Sequence, residues 1–190
     1  MSTLTDQDLL LAIRRSDDHA FSIFVRRHKS LLVDYAFQLS GNESFATDVA
    51  QQVLLAIHRG ELPRRALPDP LTWMLRTAGS IVRRHERVFH LRTLLHRRRP
   101  ERTRQARFEQ GIAPDSGIPA WEKMSREHQM RGALAGIPFP LRQLLTLRDL
   151  LGFPPEEIAR VTGGSVSSVR AGIDQARAEF ADALRAIQEP

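Results

Sequence analysis

The sequence predicts an all-α fold of two helical domains joined by a flexible basic linker, and three observations carry that prediction. Apolar residues recur at three- and four-residue intervals, without the period-two alternation of a half-buried strand. Gly, Pro and capping residues cut this pattern into segments of helical length. Between Leu91 and Pro119 the periodicity fades into HRRRPERTRQARFEQGIAPDSGIP, a Pro-interrupted run with a strong charge bias. The expected boundaries are 1–90, 91–119 for the linker, and 120–190. A chain of 190 residues that is 42% apolar has enough material for one medium core or two small ones.

In the first domain, Thr5 and Asp8 form a capping box ahead of Leu9 and Ile13. A longer helix then places Phe21, Phe24, His28, Leu31 or Leu32, Tyr35 and Leu39 on one stripe. Gly41 stops it, and Asn42 caps a third helix with the stripe Ala46, Val49, Val53, Ile57. The stretch from Gly60 to Pro70 holds three prolines and reads as a connection. A fourth helix starts near Pro70, where Pro fits the first turn, and buries Leu71, Leu75, Ala78 and Val82. Arg76, Ser80, Arg83 or Arg84, and Arg87 fall on its opposite face, a surface suited to tracking phosphates.

In the second domain the pattern resumes at Trp121, runs through Met130 and Leu134, breaks at Gly136 to Pro140 and restarts at Leu141. FPPEEIARVT then reads as a short helix entered through Pro154 and Pro155. Gly163 and Gly164 supply a turn, and Ser165 caps a helix carrying Val169, Ile173, Ala176, Phe180, Leu184 and Ile187. Short helix, glycine turn and capped longer helix outline a helix-turn-helix, although a plain helical hairpin has the same outline. Ser167, Ser168, Arg170, Ala171 and Asp174 lie outward on the second helix.

The formal net charge is +6, and its distribution is uneven. From Arg83 to Arg107 there are ten Arg against Glu86 and Glu101, a local +8 that leaves −2 for the rest of the chain. Lys29 and Lys123 are the only lysines, so the cation is guanidinium, which matches phosphate in a bidentate manner and stacks on bases. A solvated Arg-rich linker is the plainer account of the same run. With no Cys, disulfides, thiolate nucleophiles and Cys-based zinc sites are excluded. The start MSTLTDQDLL lacks a basic segment followed by an apolar run, and no 18-residue apolar stretch occurs, so a cytoplasmic protein without membrane insertion is expected.

On these motifs the chain resembles the extracytoplasmic-function RNA polymerase sigma factors of the sigma-70 family over nearly its whole length. DHAFSIFVRRHKSLLVDYAFQLSGNESFATDVAQQVLLAIHR is similar to the stretch that docks on the polymerase clamp, LTWMLRTAGSIVRRHERV to the helix that melts and captures the minus-10 element, and GIPFPLRQLLTLRDLLGFPPEEIARVTGGSVSSVRAGIDQARAEF to the second sigma domain, which reads the minus-35 element. The resemblance implies a region 2-like first domain and a region 4-like second domain. It implies polymerase contact through Asp48, Gln51 and Gln52, which fall opposite the Val49, Val53, Ile57 stripe. It implies minus-10 contact through Trp73, Arg76, Ser80, Arg83, Arg84 and Arg87, and minus-35 contact through Ser165, Ser167, Ser168, Arg170, Ala171, Gln175 and Arg177. The expected partners are core RNA polymerase, promoter DNA and an anti-sigma factor.

Two departures stand out. Ser80 and Arg84 occupy positions where the family's melting helix carries Asn and Asp, while Gly172 and Gln175 stand where its recognition helix is commonly basic. Gly172 and Gln175 are still expected to lie near the phosphate backbone, because Val169, Ile173 and Ala176 take the buried side. Asp174 adds a negative charge on the same helix. These departures leave open a sigma-like mimic that binds a regulator without directing transcription. An enzyme is not expected, nor a cofactor or metal: His85, Glu86 and His90 put two His five apart, where a helical zinc pair needs four, and no phosphate-binding Gly-Lys-Ser/Thr loop is present.

Overall fold

The computed structural model describes residues 4–66, 69–95 and 129–188. Among them there are helices and turns and no strand. Helix α1 spans Asp6–Ile13, α2 Asp18–Ser40, α3 Glu43–His58 and α4 Pro70–Leu95, with a 3-10 turn at Arg64–Ala66. Residues 129–136 form α5, followed by α6 (Phe139–Leu145), a π-helical turn (Thr146–Leu150), α7 (Pro155–Thr162) and α8 (Val166–Gln188). Most of the expected linker lies outside the described residues, but α4 runs five residues into it, to Leu95.

Helix ends follow the capping chemistry. Thr5 accepts from the Asp8 amide and Asp8 bonds back to the Thr5 amide, closing the box. Gly41 ends α2 at φ 66°, and the Asn42 side chain then accepts from the Phe45 amide to start α3. Asp69 opens α4 by accepting from the Thr72 amide at 3.1 Å and its hydroxyl at 2.7 Å. The Thr5, Asn42 and Asp69 side chains satisfy amide donors that the helix itself leaves unpaired, and the Gly41 amide satisfies the Phe37 carbonyl.

Helix α2 is the hub, packed against α1, α3 and α4 and, from the second half, α6 and the π turn. Its buried stripe is Ala20, Phe24, His28, Leu32, Tyr35, Ala36 and Leu39, which selects Leu32 over Leu31. Helix α4 contributes Met74, Leu75, Ala78 and Val82, with Leu71 partly buried. The second half has a small core of its own: Leu134, Ile137, Leu145 and Ala176 are buried together, edged by Leu141, Phe180 and Ala183.

The two halves share the larger core. Leu144, Leu147, Ile158, Ala159, Val161, Val169 and Ile173 belong to the same buried cluster as the α1–α4 residues. Polar bonds stitch the seam. Gln143 donates to the Tyr35 hydroxyl at 2.7 Å, and Arg142, itself buried, lies 2.7 Å from Glu86. Gly79 makes the first of these possible, since a Cβ there would sit 2.7 Å from Gln143 Nε2 and 2.9 Å from the Tyr35 oxygen.

Candidate nucleic-acid interface

Helix α3 divides its residues as the amphipathic pattern requires. Ala46, Val49, Ala50, Val53, Leu54 and Ile57 are buried, and Asp48, Gln51 and Gln52 are exposed. Leu55 continues this outer face with 43% of its surface exposed, an apolar residue the sequence pattern did not single out. The outer face of α3 is thus a polar patch with one large apolar side chain on a firmly anchored helix.

On α4 the structure separates two groups of expected DNA contacts. Ser80, Arg83, Arg84 and Arg87 are exposed along the outer face. Trp73 is half-buried and packs against the core, and Arg76 is engaged elsewhere. Its Nε donates to the Val161 carbonyl at 3.2 Å, and its Nη2 donates to the Arg160 carbonyl. These are among the last carbonyls of α7, left without intrahelical donors where the helix ends at Gly163. A guanidinium at the negative end of a helix is favourably placed. Arg160 adds a link of its own, its Nε lying 3.3 Å from Asp69 Oδ2 at the start of α4.

The helix-turn-helix is present as expected. Helix α7 enters on Pro154 and Pro155, and Gly163 takes φ 79° at its end. Ser165 accepts from the Ser168 amide at 3.1 Å to start α8. Val169, Ile173 and Ala176 are buried, and Ser165, Ser167, Ser168, Arg170, Ala171, Asp174, Gln175 and Arg177 are exposed on the other side. Their charges are locally occupied: Arg177 forms a fork onto Asp149 at 2.6 and 3.0 Å, Arg170 lies 3.3 Å from Glu156, and Gln175 donates to Glu179 at 2.9 Å. Exposed pairs of this kind contribute little in water and exchange readily with other anions.

One expectation is overturned. Gly172 does not face outward with Gln175, because a Cβ there would lie 2.6 Å from Leu144 Cδ1. Its lack of a side chain lets α8 close on α6. Sequence reasoning placed Tyr35 on the α2 stripe but missed the seam itself, where Tyr35 meets Gln143 beside Gly79 and Glu86 meets Arg142. The available signals were a glycine inside the apolar stripe of α4 and an arginine within the leucine run of α6.

No group of His, Asp and Glu suited to holding a metal occurs among the described residues, and none of their helices is long and apolar enough to cross a membrane.

Residues 127–180 match the family described as sigma-70, region 4, which brackets the helix-turn-helix. Over 183 residues the chain is 30% identical to the ECF RNA polymerase sigma factor SigC of Mycobacterium tuberculosis, covering 96% of this chain and 90% of that one. It is 25% identical over 189 residues to the RNA polymerase sigma-H factor of Pseudomonas aeruginosa, covering 96% and 95%. Among solved structures, CnrH in complex with the cytosolic domain of CnrY superposes with a TM-score of 0.62 at 22% identity, over 95% of this chain and 97% of that one, a likeness of fold. With a relative at this identity over nearly the whole chain, a region 4 match on the helix-turn-helix and helices without strands among the described residues, the chain belongs to the extracytoplasmic-function family of RNA polymerase sigma factors.

Proposed function

We propose that this sigma factor works as two reading heads, residues 1–90 and 120–190, carried by core RNA polymerase onto promoter DNA. Asp48, Gln51 and Gln52 on the exposed face of α3 dock on the polymerase. Trp73, Arg76, Ser80, Arg83, Arg84 and Arg87 on α4 engage the minus-10 element, where guanidinium groups hold phosphate and flat side chains stack on exposed bases. The amino-terminal half of α8, from Ser165 to Arg177, reads the minus-35 duplex from the major groove. The chain works in the cytoplasm and leaves all covalent chemistry to the polymerase. The sigma factor RpoE of Bartonella quintana is found in complex with the anti-sigma factor NepR, and an anti-sigma partner is proposed here as well.

The observation that carries this proposal is the α8 register. Every expected minus-35 contact is exposed on one side while Val169, Ile173 and Ala176 anchor the other. Because phosphate contacts position and base contacts specify, the serines and Ala171 at the start of α8 are the sequence readers, and Arg170 and Arg177 set the docking. Run-off transcription with core polymerase on genomic fragments tests it. Transcripts starting at a recurrent upstream motif are expected, and Arg170→Ala with Arg177→Ala should weaken initiation on all of them. A chain that binds a sigma regulator yet yields no transcript on any fragment would instead be a mimic, as the substitutions at Ser80 and Arg84 would then reflect.

A further inference from the structure

Arg170 and Arg177 lie about two turns apart on α8 and so share one flank of the helix. Their acidic neighbours hold them differently. Arg170 reaches Glu156 through a single nitrogen at 3.3 Å. Arg177 grips Asp149 at two points, Nε donating to Oδ2 at 3.0 Å and Nη2 to Oδ1 at 2.6 Å. A single exposed contact leaves a long side chain free to turn, whereas a fork fixes the plane and direction of the guanidinium. The fork engages two N–H donors on one edge of the group, and the donors of the opposite edge stay available. The Arg177 side chain accordingly keeps 52% of its surface exposed.

The other half of the fork is firmly seated. Asp149 belongs to the π-helical turn Thr146–Leu150, whose Thr146 and Leu147 are fully buried. The Thr146 hydroxyl donates to the Arg142 carbonyl at 2.9 Å, and the Leu151 amide donates to the Thr146 carbonyl at 3.0 Å. Arg148 closes the far side by donating to the Phe153 carbonyl at 3.1 Å. The turn is therefore bound at its start, at its end and to the segment leading into α7. A carboxylate on such a base is a fixed point from which to aim a flexible side chain, even where the pair adds little to folding stability.

We infer that Asp149 is a positioning residue for the minus-35 contact: its fork holds Arg177 aimed at a DNA phosphate, which joins the open edge of the guanidinium without displacing the carboxylate. This rests on the promoter-reading function proposed above. An unheld arginine loses rotamer freedom when DNA orders it, and that loss weakens binding. In this chain the fork orders Arg177 beforehand. Two effects of Asp149 then oppose each other. Its negative charge repels any duplex, whatever the sequence. Its hold on Arg177 matters where register matters, because phosphate contacts fix the orientation in which side chains at the start of α8 meet their bases. Asp149 thus exchanges general attraction to DNA for preference for one element.

The test measures binding of holoenzyme, full-length chain with core polymerase, to promoter fragments recovered by run-off transcription, with the minus-35 element intact or scrambled. Asp149→Ala should weaken binding to the intact element by roughly threefold to tenfold, the effect of ordering one long side chain. Binding to the scrambled element should stay the same or tighten, since an anion has been removed. These opposite responses cannot come from misfolding, which weakens both. In an Arg177→Ala background, Asp149→Ala should cause no further loss on the intact element, because the side chain it positions is gone. Tighter binding to both fragments would reduce Asp149 to a counter-charge and overturn the inference. Equal weakening on both, or a further loss in the Arg177→Ala background, would overturn it in favour of a structural role. Wild-type holoenzyme that does not distinguish the two fragments, or that yields no transcript from any, overturns the minus-35 reading itself.

Discussion

Gly172 shows how one missing side chain changes the meaning of a position. On a helical wheel it neighbours Gln175, yet Leu144 occupies the space a Cβ would need. Gly172→Arg gains about 1 kcal/mol of helix propensity. Overpacking against Leu144 costs typically 1–3 kcal/mol and should dominate. A lower urea midpoint is expected for Gly172→Arg, while Gln175→Arg, at an exposed site, should leave the midpoint nearly unchanged. Equal midpoints for Gly172→Arg and wild type would show that α6 yields freely. His28 makes a second prediction at this scale. Burial on the α2 stripe pushes its pKa down, only partly offset by Asp6, whose Oδ2 lies 2.9 Å from Nε2. Because the native pKa lies below the unfolded value, the unfolded chain takes up a proton first as pH falls from about 6.5. This contribution is complete above that pH and declines below it. The stability gap between wild type and His28→Gln in urea should therefore narrow between pH 7 and pH 5, and a gap that widens on acidification would mean that Asp6 dominates.

Among the elements, α3 and α7–α8 show a division of faces on which their proposed roles rest. Six of the α3 side chains are buried, which fixes the helix rigidly, and its remaining face is free to meet a partner. Asp48→Arg with Gln52→Ala alters only exposed positions, so the circular dichroism spectrum and melting temperature should stay near wild type while pull-down of core polymerase is lost. Retained pull-down would move the docking site off α3. In α7–α8 the turn depends on Gly163, whose φ of 79° is costly for most other residues. The π turn after α6 belongs to the same scale: the Leu151 amide bonds to the Thr146 carbonyl at 3.0 Å, a wider loop than an α-helix closes. Arg177 meets Asp149 of this turn, tying α8 to it.

For the whole molecule, the governing feature is asymmetric charge. Arg83, Arg84 and Arg87 are exposed on α4 next to the most Arg-rich stretch of the chain, while α7 carries Glu156 and Glu157 in its first turn and α8 carries the exposed Asp174. Association with DNA should therefore depend on α4 more than on α8 for its salt sensitivity. Replacing Arg83, Arg84 and Arg87 by Ala should flatten the log-log salt dependence of holoenzyme binding by about 0.9 per lost duplex contact, or about 0.7 per contact on single strands. An unchanged slope, measured by salt-titrated anisotropy, would return the three residues to a solvated face.

What the sequence by itself determined was much of what depends on neighbours within a few positions. Capping by Thr5, Asn42 and Ser165, the stops at Gly41 and Gly163, the entry of α4 at Pro70 and the outward register of α3 and α8 follow from side chains acting on adjacent backbone, so periodicity and local chemistry exposed them. The family resemblance followed from the same local motifs. Tertiary structure decided what lies across space: that Gly172 faces Leu144, that Arg76 donates to the last carbonyls of α7, and that Arg142 and Gln143 enter the first half beside Gly79. No spacing rule couples Tyr35 to Gln143, 108 positions apart. Such pairs arise only once packing brings two helical faces together, because burial then forces each polar group to find its partner in the opposite face.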